Sequence, residues 1–346
     1  MRRVDNGGLA SIGEGAAPGL LPSAEQIERA RTLAERFAGA GLREVPLVRW
    51  RASAGGGRVW LALESMQVTG SFKVRGALLA VEARLKASSG PLEVVAASAG
   101  NHGVGVAFAA RALGAKATVV VPRGAPRTKT GKIAAYGATV LEARGAGYDD
   151  AEAEAIELAR ARDVPFLSPY DDLDVLVGNG ASLGFEIVRA LGRVPDAVYC
   201  PIGGGGLGTG LSCAFAREGA ASRRVWGVQS EASCAFARSL ETGRALTTLP
   251  SATTLAEGLE GGISERGFAR ARATLAGAVV ATEDEIARAM TFGVRELGLA
   301  LEGSAAVALA PLLAPVDTAL ELAELDTIVV LTGRNVDPER LAGIVC

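Results

Sequence analysis

From Val59 onward the chain alternates short apolar runs with longer segments whose apolar residues recur at helical spacing. The short runs are Val59–Leu63, Glu93–Ser98, Ala117–Val121, Thr139–Glu142, Ala197–Ile202, Arg224–Gln229 and Thr327–Leu331. Most are continuously apolar rather than alternating, which is the pattern of strands buried on both faces. Strands of that kind, interleaved with helices, predict an α/β fold of mainly parallel sheets flanked by helices. Ahead of them, Ser23 and Gln26 have the spacing of a capping box, and a helical pattern follows through Phe37. Residues 1–22 are Gly-rich, carry Arg2, Arg3, Asp5 and Glu14, and lack the apolar centre of a secretory signal. They predict a flexible leader on a cytoplasmic protein. No internal repeat is visible, and no low-complexity stretch beyond the leader and Ala54–Gly57.

Composition narrows the class. At 346 residues the chain is long enough for two lobes, and 49% hydrophobic with 21% charged residues describes a packed protein. A net charge of -2, with no long Lys/Arg run, gives no attraction for nucleic acid. The mean hydropathy of +0.26 comes largely from alanine in helical patterns, and no stretch of about 18 uninterrupted apolar residues suits a membrane span. The cysteines Cys200, Cys213, Cys234 and Cys346 form no C-x-x-C pair, so reduced thiols are expected. His102 is the single histidine, which excludes sites needing two, such as H-E-x-x-H zinc centres.

Gly clusters close several of the predicted strands, where open α/β sheets bind ligands. Gly203-Gly204-Gly205-Gly206 follows the strand ending at Ile202 and precedes a helical segment from Leu207. A turn without side chains lets backbone N–H groups and a helix N-terminus approach a phosphate. Gly203, Gly205 and Gly208 also satisfy G-x-G-x-x-G, with Glu231 downstream, so this turn alone admits a dinucleotide. The segment from Glu64 to Ala77 weighs against that. It places Lys73 at a strand-to-helix junction, where enclosure lowers an amine's pKa and makes it nucleophilic. A surface lysine at a helix start is the plainer reading of the same spacing.

Four ordered motifs carry a resemblance. Thr69-Gly70-Ser71-Phe72-Lys73-Val74-Arg75-Gly76-Ala77, Ser98-Ala99-Gly100-Asn101-His102, Gly203–Gly206 and Thr332-Gly333-Arg334-Asn335 resemble those of fold-type II pyridoxal-phosphate (PLP) enzymes. The resemblance is to the serine/threonine dehydratase (threonine ammonia-lyase) group, related to serine racemase, and runs over roughly residues 25 to 345. It implies a two-lobed, tryptophan synthase β-like fold, with residues 85–165 as the small domain and 23–84 with 166–346 as the large one. It implies PLP on Lys73 as a Schiff base and Lys73 as the base at the substrate Cα. Phe72 would pack on the pyridine ring, and Asn101 would bond the ring oxygen. Gly203, Gly204, Gly205, Gly206 and Leu207 would take the phosphate, and the Thr332 hydroxyl would meet the ring nitrogen. Glu302, in Leu301-Glu302-Gly303-Ser304, would lie near the ring. Ser98, Ala99, Gly100, Asn101 and His102 would cradle the substrate carboxylate.

The resemblance further implies β-elimination of water from L-threonine or L-serine, giving a 2-oxo acid and ammonia. Serine racemase, or a dehydratase of another β-hydroxy amino acid such as hydroxyaspartate, is the alternative. Related racemases carry a serine where Ala99 stands, and alanine moves no proton, so elimination is preferred. Thr332, a neutral hydroxyl, does not enforce protonation of the ring nitrogen as a carboxylate would. Some relatives bind a divalent cation through a glutamate with an aspartate six residues on. Ala237 occupies that place after Glu231, and no metal is expected. Arg334 departs from the small residue usual at its position. With no segment after Cys346 in this sequence for the regulatory domain of the long biosynthetic dehydratases, a short, catabolic-type or pathway-specific enzyme is the expectation. Homo-oligomerisation, as a dimer, is the family expectation.

Overall fold

In the computed structural model, which describes residues 1–7, 11–52, 57–250, 252–313 and 325–345, the apolar runs become the interior of two sheets. The strands are β1 (Arg2–Asp5), β2 (Leu47–Ala52), β3 (Arg58–Ala62), β4 (Glu93–Ala97), β5 (Lys116–Val121), β6 (Thr139–Glu142), β7 (Ala197–Pro201), β8 (Val225–Ser230), β9 (Gly277–Ala281) and β10 (Thr327–Val330). Seven form one sheet in the order β1-β9-β8-β7-β10-β3-β2, and β4-β5-β6 form a second. Pairing is parallel except at the two edges of the larger sheet, where β1 and β2 run antiparallel to their neighbours. Every residue of β7, β9 and β10 is buried. Because side chains alternate across a strand, β10 sends Ile328 and Val330 into one core layer and Val329 and Leu331 into the other. That two-sided burial is why these runs carry no polar alternation.

Three expectations change. The leader is not wholly flexible. Arg2–Asp5 form β1 on β9, with Arg2 opposite Val280, and Asn6 Nδ2 donates to the Leu275 carbonyl at 2.8 Å. The strand covers backbone groups that β9 would otherwise expose at a sheet edge. The helical pattern to Phe37 is two helices, α1 (Ala24–Glu28) and α2 (Leu33–Arg36). Between them the hydrogen bonds tighten to i→i+3, and the Arg36 guanidinium bonds the Arg29 carbonyl at 2.8 Å. The Ser23 capping box is present, with both reciprocal bonds. Strands β2 and β9 have no counterpart in the sequence reading. Residues 54–56 and Cys346 lie outside the described residues.

The helices that matter for the site are α3 (Lys73–Ala87), α4 (Asn101–Ala112), α5 (Arg127–Ala135), α6 (Tyr148–Arg162), α7 (Leu173–Leu176), α8 (Ser182–Leu191) and α9 (Gly206–Arg217). A π-helical turn, Val177–Ala181, joins α7 to α8, and both α3 and α9 pack against it through glycines. A Cβ on Gly178 would lie 2.6 Å from the Gly76 Cα of α3, and one on Gly180 would lie 2.7 Å from the Gly210 Cα of α9. Contact without side chains brings the N-termini of α3 and α9 to one place. Among the described residues no helix is long and apolar enough to cross a membrane.

Candidate active site

β7, β10 and β3 are neighbours in the larger sheet, so the loops after their carboxyl ends emerge side by side. The loop after β3 leads into Lys73, that after β7 is Gly203–Gly206, and that after β10 is Leu331–Asn335. Two of them are zipped together. Phe72 N–H donates to the Thr332 carbonyl at 3.0 Å and Arg334 N–H to the Gly70 carbonyl at 2.9 Å, with a bridge between Ser71 and Gly333. The smaller sheet supplies a fourth segment, Ser98–Asn101, between β4 and α4. Gly105 on α4 lies so close to the start of α3 that a Cβ would sit 3.1 Å from the Lys73 carbonyl oxygen.

Lys73 is the first residue of α3 and is partly buried. Its Nζ lies 5.2 Å from the Phe72 ring centre and 5.8 Å from that of Tyr170. Burial pulls the amine down to a pKa of about 8, against the opposing charge of Glu302. Lys73 is thus partly a free amine near neutral pH, as a nucleophile or base requires. The carboxylate opposite it is placed with care. Glu302 caps the short helix Gly303–Ala306, its N–H donates to the Gly333 carbonyl at 3.2 Å, and its Oε1 accepts from Asn101 Nδ2 at 2.7 Å. A Cβ on Gly333 would overlap that carboxylate.

The glycine turn behaves as its composition predicts. Gly205 takes φ +86°, a left-handed conformation that L side chains rarely adopt, and α9 starts at the next residue. A Cβ on Gly204 would lie 2.6 Å from the Tyr170 ring, so the turn and Lys73 share Tyr170 as a wall. Burial raises the Tyr170 hydroxyl to about 12, which keeps it protonated. Leu207 is buried and its side chain belongs to the core beneath the turn.

The 98–102 loop divides its work. Ser98 Oγ accepts from the Gly100 N–H at 3.0 Å, and Ala99 is partly buried. The His102 ring bonds the Leu167 carbonyl through Nε2 at 2.9 Å, while its buried Nδ1 has no hydrogen-bond partner. Because a carbonyl only accepts, Nε2 carries the proton. Burial and the nearby Lys73 charge lower the imidazole to about 3, so it is neutral throughout the working range. Thr332 is buried at the end of β10. Arg334 is exposed and its guanidinium rests on the Met66 sulfur at 3.7 Å. Glu231 is exposed beyond β8. Among the described residues no three His, Cys, Asp or Glu side chains gather where they could hold a metal.

Tyr170 and Lys132 join this site from outside the sequence motifs, and so does a side chain within one of them, Asn335, for which the Thr332–Asn335 motif predicts no role of its own. The Ser168-Pro169-Tyr170-Asp171 turn is the local signal for the first, since an aromatic in such a turn is usually packed on something. The residues fit a phosphorylated aldehyde cofactor. A partly neutral amine stands beside an aromatic ring, a glycine turn opens on a helix start, and Ser71 Oγ and His102 Nδ1 are buried without partners.

Comparison with known proteins agrees. Residues 40–333 match the family described as pyridoxal-phosphate dependent enzyme. The catabolic L-threonine dehydratase of Escherichia coli K12 is 34% identical over 92% of this chain and 94% of its own length. Among solved structures, processed threonine deaminase isoform 2 of Solanum lycopersicum is 27% identical, with a TM-score of 0.79 over 99% of this chain and 98% of its own. Serine racemase of Dictyostelium discoideum is 26% identical, with a TM-score of 0.78 over 92% of this chain and 100% of its own.

Proposed function

The chain belongs to the pyridoxal-phosphate-dependent enzymes, and from that premise we propose that it removes water from L-threonine or L-serine, releasing a 2-oxo acid and ammonia. The observation that carries the proposal is the Lys73 amine, lowered to about 8 and set between the glycine turn and the Asn101–Glu302 pair. When bound, PLP supplies an electron sink for the charge that develops at the substrate Cα.

Lys73 Nζ is the atom that would hold the cofactor's aldehyde carbon, and the same amine would take the Cα proton. A base with a pKa near the working pH is both deprotonated and strong enough for that transfer. The backbone of Gly203–Gly206, with the Leu207 N–H at the start of α9, would hold the phosphate. Phe72 would pack on the ring, Asn101 Nδ2 would bond the ring oxygen, Thr332 would face the ring nitrogen, and Glu302 would lie alongside. Ser98, Ala99, Gly100, Asn101 and His102 would hold the substrate carboxylate. His102 would serve through its backbone N–H in the first turn of α4, with its ring anchored to the Leu167 carbonyl through Nε2. The Cα proton and the β-hydroxyl, which takes up a proton as it departs, would together leave as one water, and the released enamine would add water in solution to give the 2-oxo acid and ammonia.

Ala99 favours elimination over racemisation. Inverting the Cα needs a second acid or base on the face opposite Lys73, and the methyl of Ala99 supplies none. We take residues 85–165 as a small lobe that closes on residues 23–84 and 166–346 and excludes water from the reacting groups. We take the enzyme to be a cytoplasmic homodimer. The test is product partition from L-serine and L-threonine. We expect 2-oxo acid from at least one of them, and no D-serine. D-serine forming as fast as oxo acid would make the protein a racemase. No product from cofactor-loaded enzyme would point to another β-hydroxy amino acid, such as hydroxyaspartate.

A further inference from the structure

Four side chains form one line across the cleft. Lys132 of α5 places Nζ 3.1 Å from Asn335 Oδ1. Asn335 Nδ2 lies 3.0 Å from the Thr69 carbonyl oxygen and 2.6 Å from Asn101 Oδ1. Asn101 Nδ2 lies 2.7 Å from Glu302 Oε1. Lys132 and Asn101 belong to the helices around the smaller sheet. Asn335 and Glu302 belong to the larger sheet's side, so the line crosses between the lobes three times.

The chemistry of its ends fixes its direction. An ammonium only donates, so the Asn335 atom facing Lys132 is the amide oxygen. A backbone carbonyl only accepts, so the Asn335 atom facing Thr69 is the amide nitrogen. Asn335 therefore has only N–H to offer Asn101, whose oxygen must face it. The Asn101 nitrogen is then left for the Glu302 carboxylate, which accepts. Flipping Asn101 would set like against like at two contacts, and flipping Asn335 would do so at three. The line also ties the loop preceding Lys73, through Thr69, to the loop that carries Asn101.

We propose that Lys132 and Asn335 are positioning residues, forming an interlobe clasp that holds the Asn101 amide with its N–H groups toward Glu302 and the cofactor. This deepens the PLP reading of the site and rests on it. Lys132 is exposed and Asn335 lies at the rim. Neither need touch substrate, and the clasp acts through Asn101.

The test compares holoenzymes of the parent, Lys132→Met, Lys132→Arg and Asn335→Asp. It reads the rate at which PLP is lost on dilution and the absorbance maximum of the bound cofactor. Lys132→Met should lose PLP roughly 3- to 10-fold faster, the worth of about one net hydrogen bond, with a displaced maximum. Lys132→Arg, which still donates, should stay within about twofold of the parent. Asn335→Asp keeps the partner for Lys132 but cannot donate to Thr69 or Asn101, so it should be worse than Lys132→Met. The clasp is refuted if Lys132→Met matches the parent in both readouts, or if Lys132→Arg is as impaired as Lys132→Met. It is also refuted if the variants differ only in thermal unfolding of the cofactor-free protein. Since the readout is cofactor retention, the clasp and the dehydratase reading fail separately. Loaded enzyme that makes no oxo acid overturns the second and leaves the first standing.

Discussion

Lys73 and Arg75 stand two residues apart on the first turn of α3, and their surroundings could hardly differ more. Arg75 is fully buried between two carboxylates. It meets Glu64 through Nε and Nη2 at 2.8 and 2.9 Å, and Glu186 through Nη1 and Nη2 at 2.7 Å each. Ser182 Oγ and the Arg43 carbonyl, each at 3.1 Å, engage the guanidinium as well. Gln67 donates to Glu64, and the Val45 N–H donates to Glu186. Burial pushes the Glu64 carboxyl above its ordinary range while Arg75 pulls it back, and Arg75 itself stays charged. Every nitrogen of that cation is matched, so the cluster can anchor the start of α3 but has nothing left to react with.

Lys73, on the same turn, is held by one carboxylate at longer range and by two ring faces, and its charge is disfavoured rather than satisfied. One cation is saturated to make a scaffold, and the other is under-solvated to make a reagent. The first makes the second possible: an amine destabilised in its charged form holds its place only if the helix turn beneath it is pinned by something else.

The largest effect that would break this contrast is on stability. Arg75→Met leaves Glu64 and Glu186 buried without a cation and should cost about 3–5 kcal/mol in denaturant unfolding. Removing both carboxylates as well, with neutral replacements of similar volume, should recover most of the loss. If Arg75→Met is nearly silent, the triad is not the anchor.

A smaller effect sharpens the other half. In the cofactor-free protein the folded pKa of Lys73, about 8, lies below the usual 10.5. Below pH 8 both folded and unfolded chains carry the proton, and the folded state bears the full burial penalty. Between 8 and 10.5 the unfolded chain binds a proton that the folded one does not, so stability from this group rises with pH. Cofactor-free Lys73→Met should therefore be more stable than the parent at neutral pH, by up to about 3 kcal/mol less whatever solvent screens. The advantage should shrink steadily between pH 8 and 10.5 and be gone above that. Unfolding midpoints across that range decide it, and a constant difference would contradict the assigned burial.

Much of this arrangement was legible in the sequence because each motif is local: a buried strand, then a turn whose residues face the cleft. The seven apolar runs match strands to within a residue or so at their ends, Thr139–Glu142 without any shift. What escaped has identifiable causes. β2, Leu47–Ala52, is an antiparallel edge strand carrying Arg49 and Arg51, so it lacks a continuous apolar signature. β9, Gly277–Ala281, is short and rich in small residues, which strand preferences disfavour although every position is buried. β1 depends on an open edge that exists only once β9 is in place. The Lys132–Asn335 contact joins residues 203 positions apart, and no local spacing reports it. Tyr170 needs the same knowledge, since its place over Gly204 follows from how α6 returns to the larger sheet.

The most direct test of the account is 2-oxo acid release from L-threonine and L-serine by the parent and by Lys73→Ala, with bound PLP assayed in both. The account predicts steady release by the loaded parent and a loss of about 10³-fold or more in the variant, whose cofactor-free unfolding midpoint is no lower than that of the cofactor-free parent. Release that survives the substitution, or a loaded parent that converts neither amino acid, would contradict it.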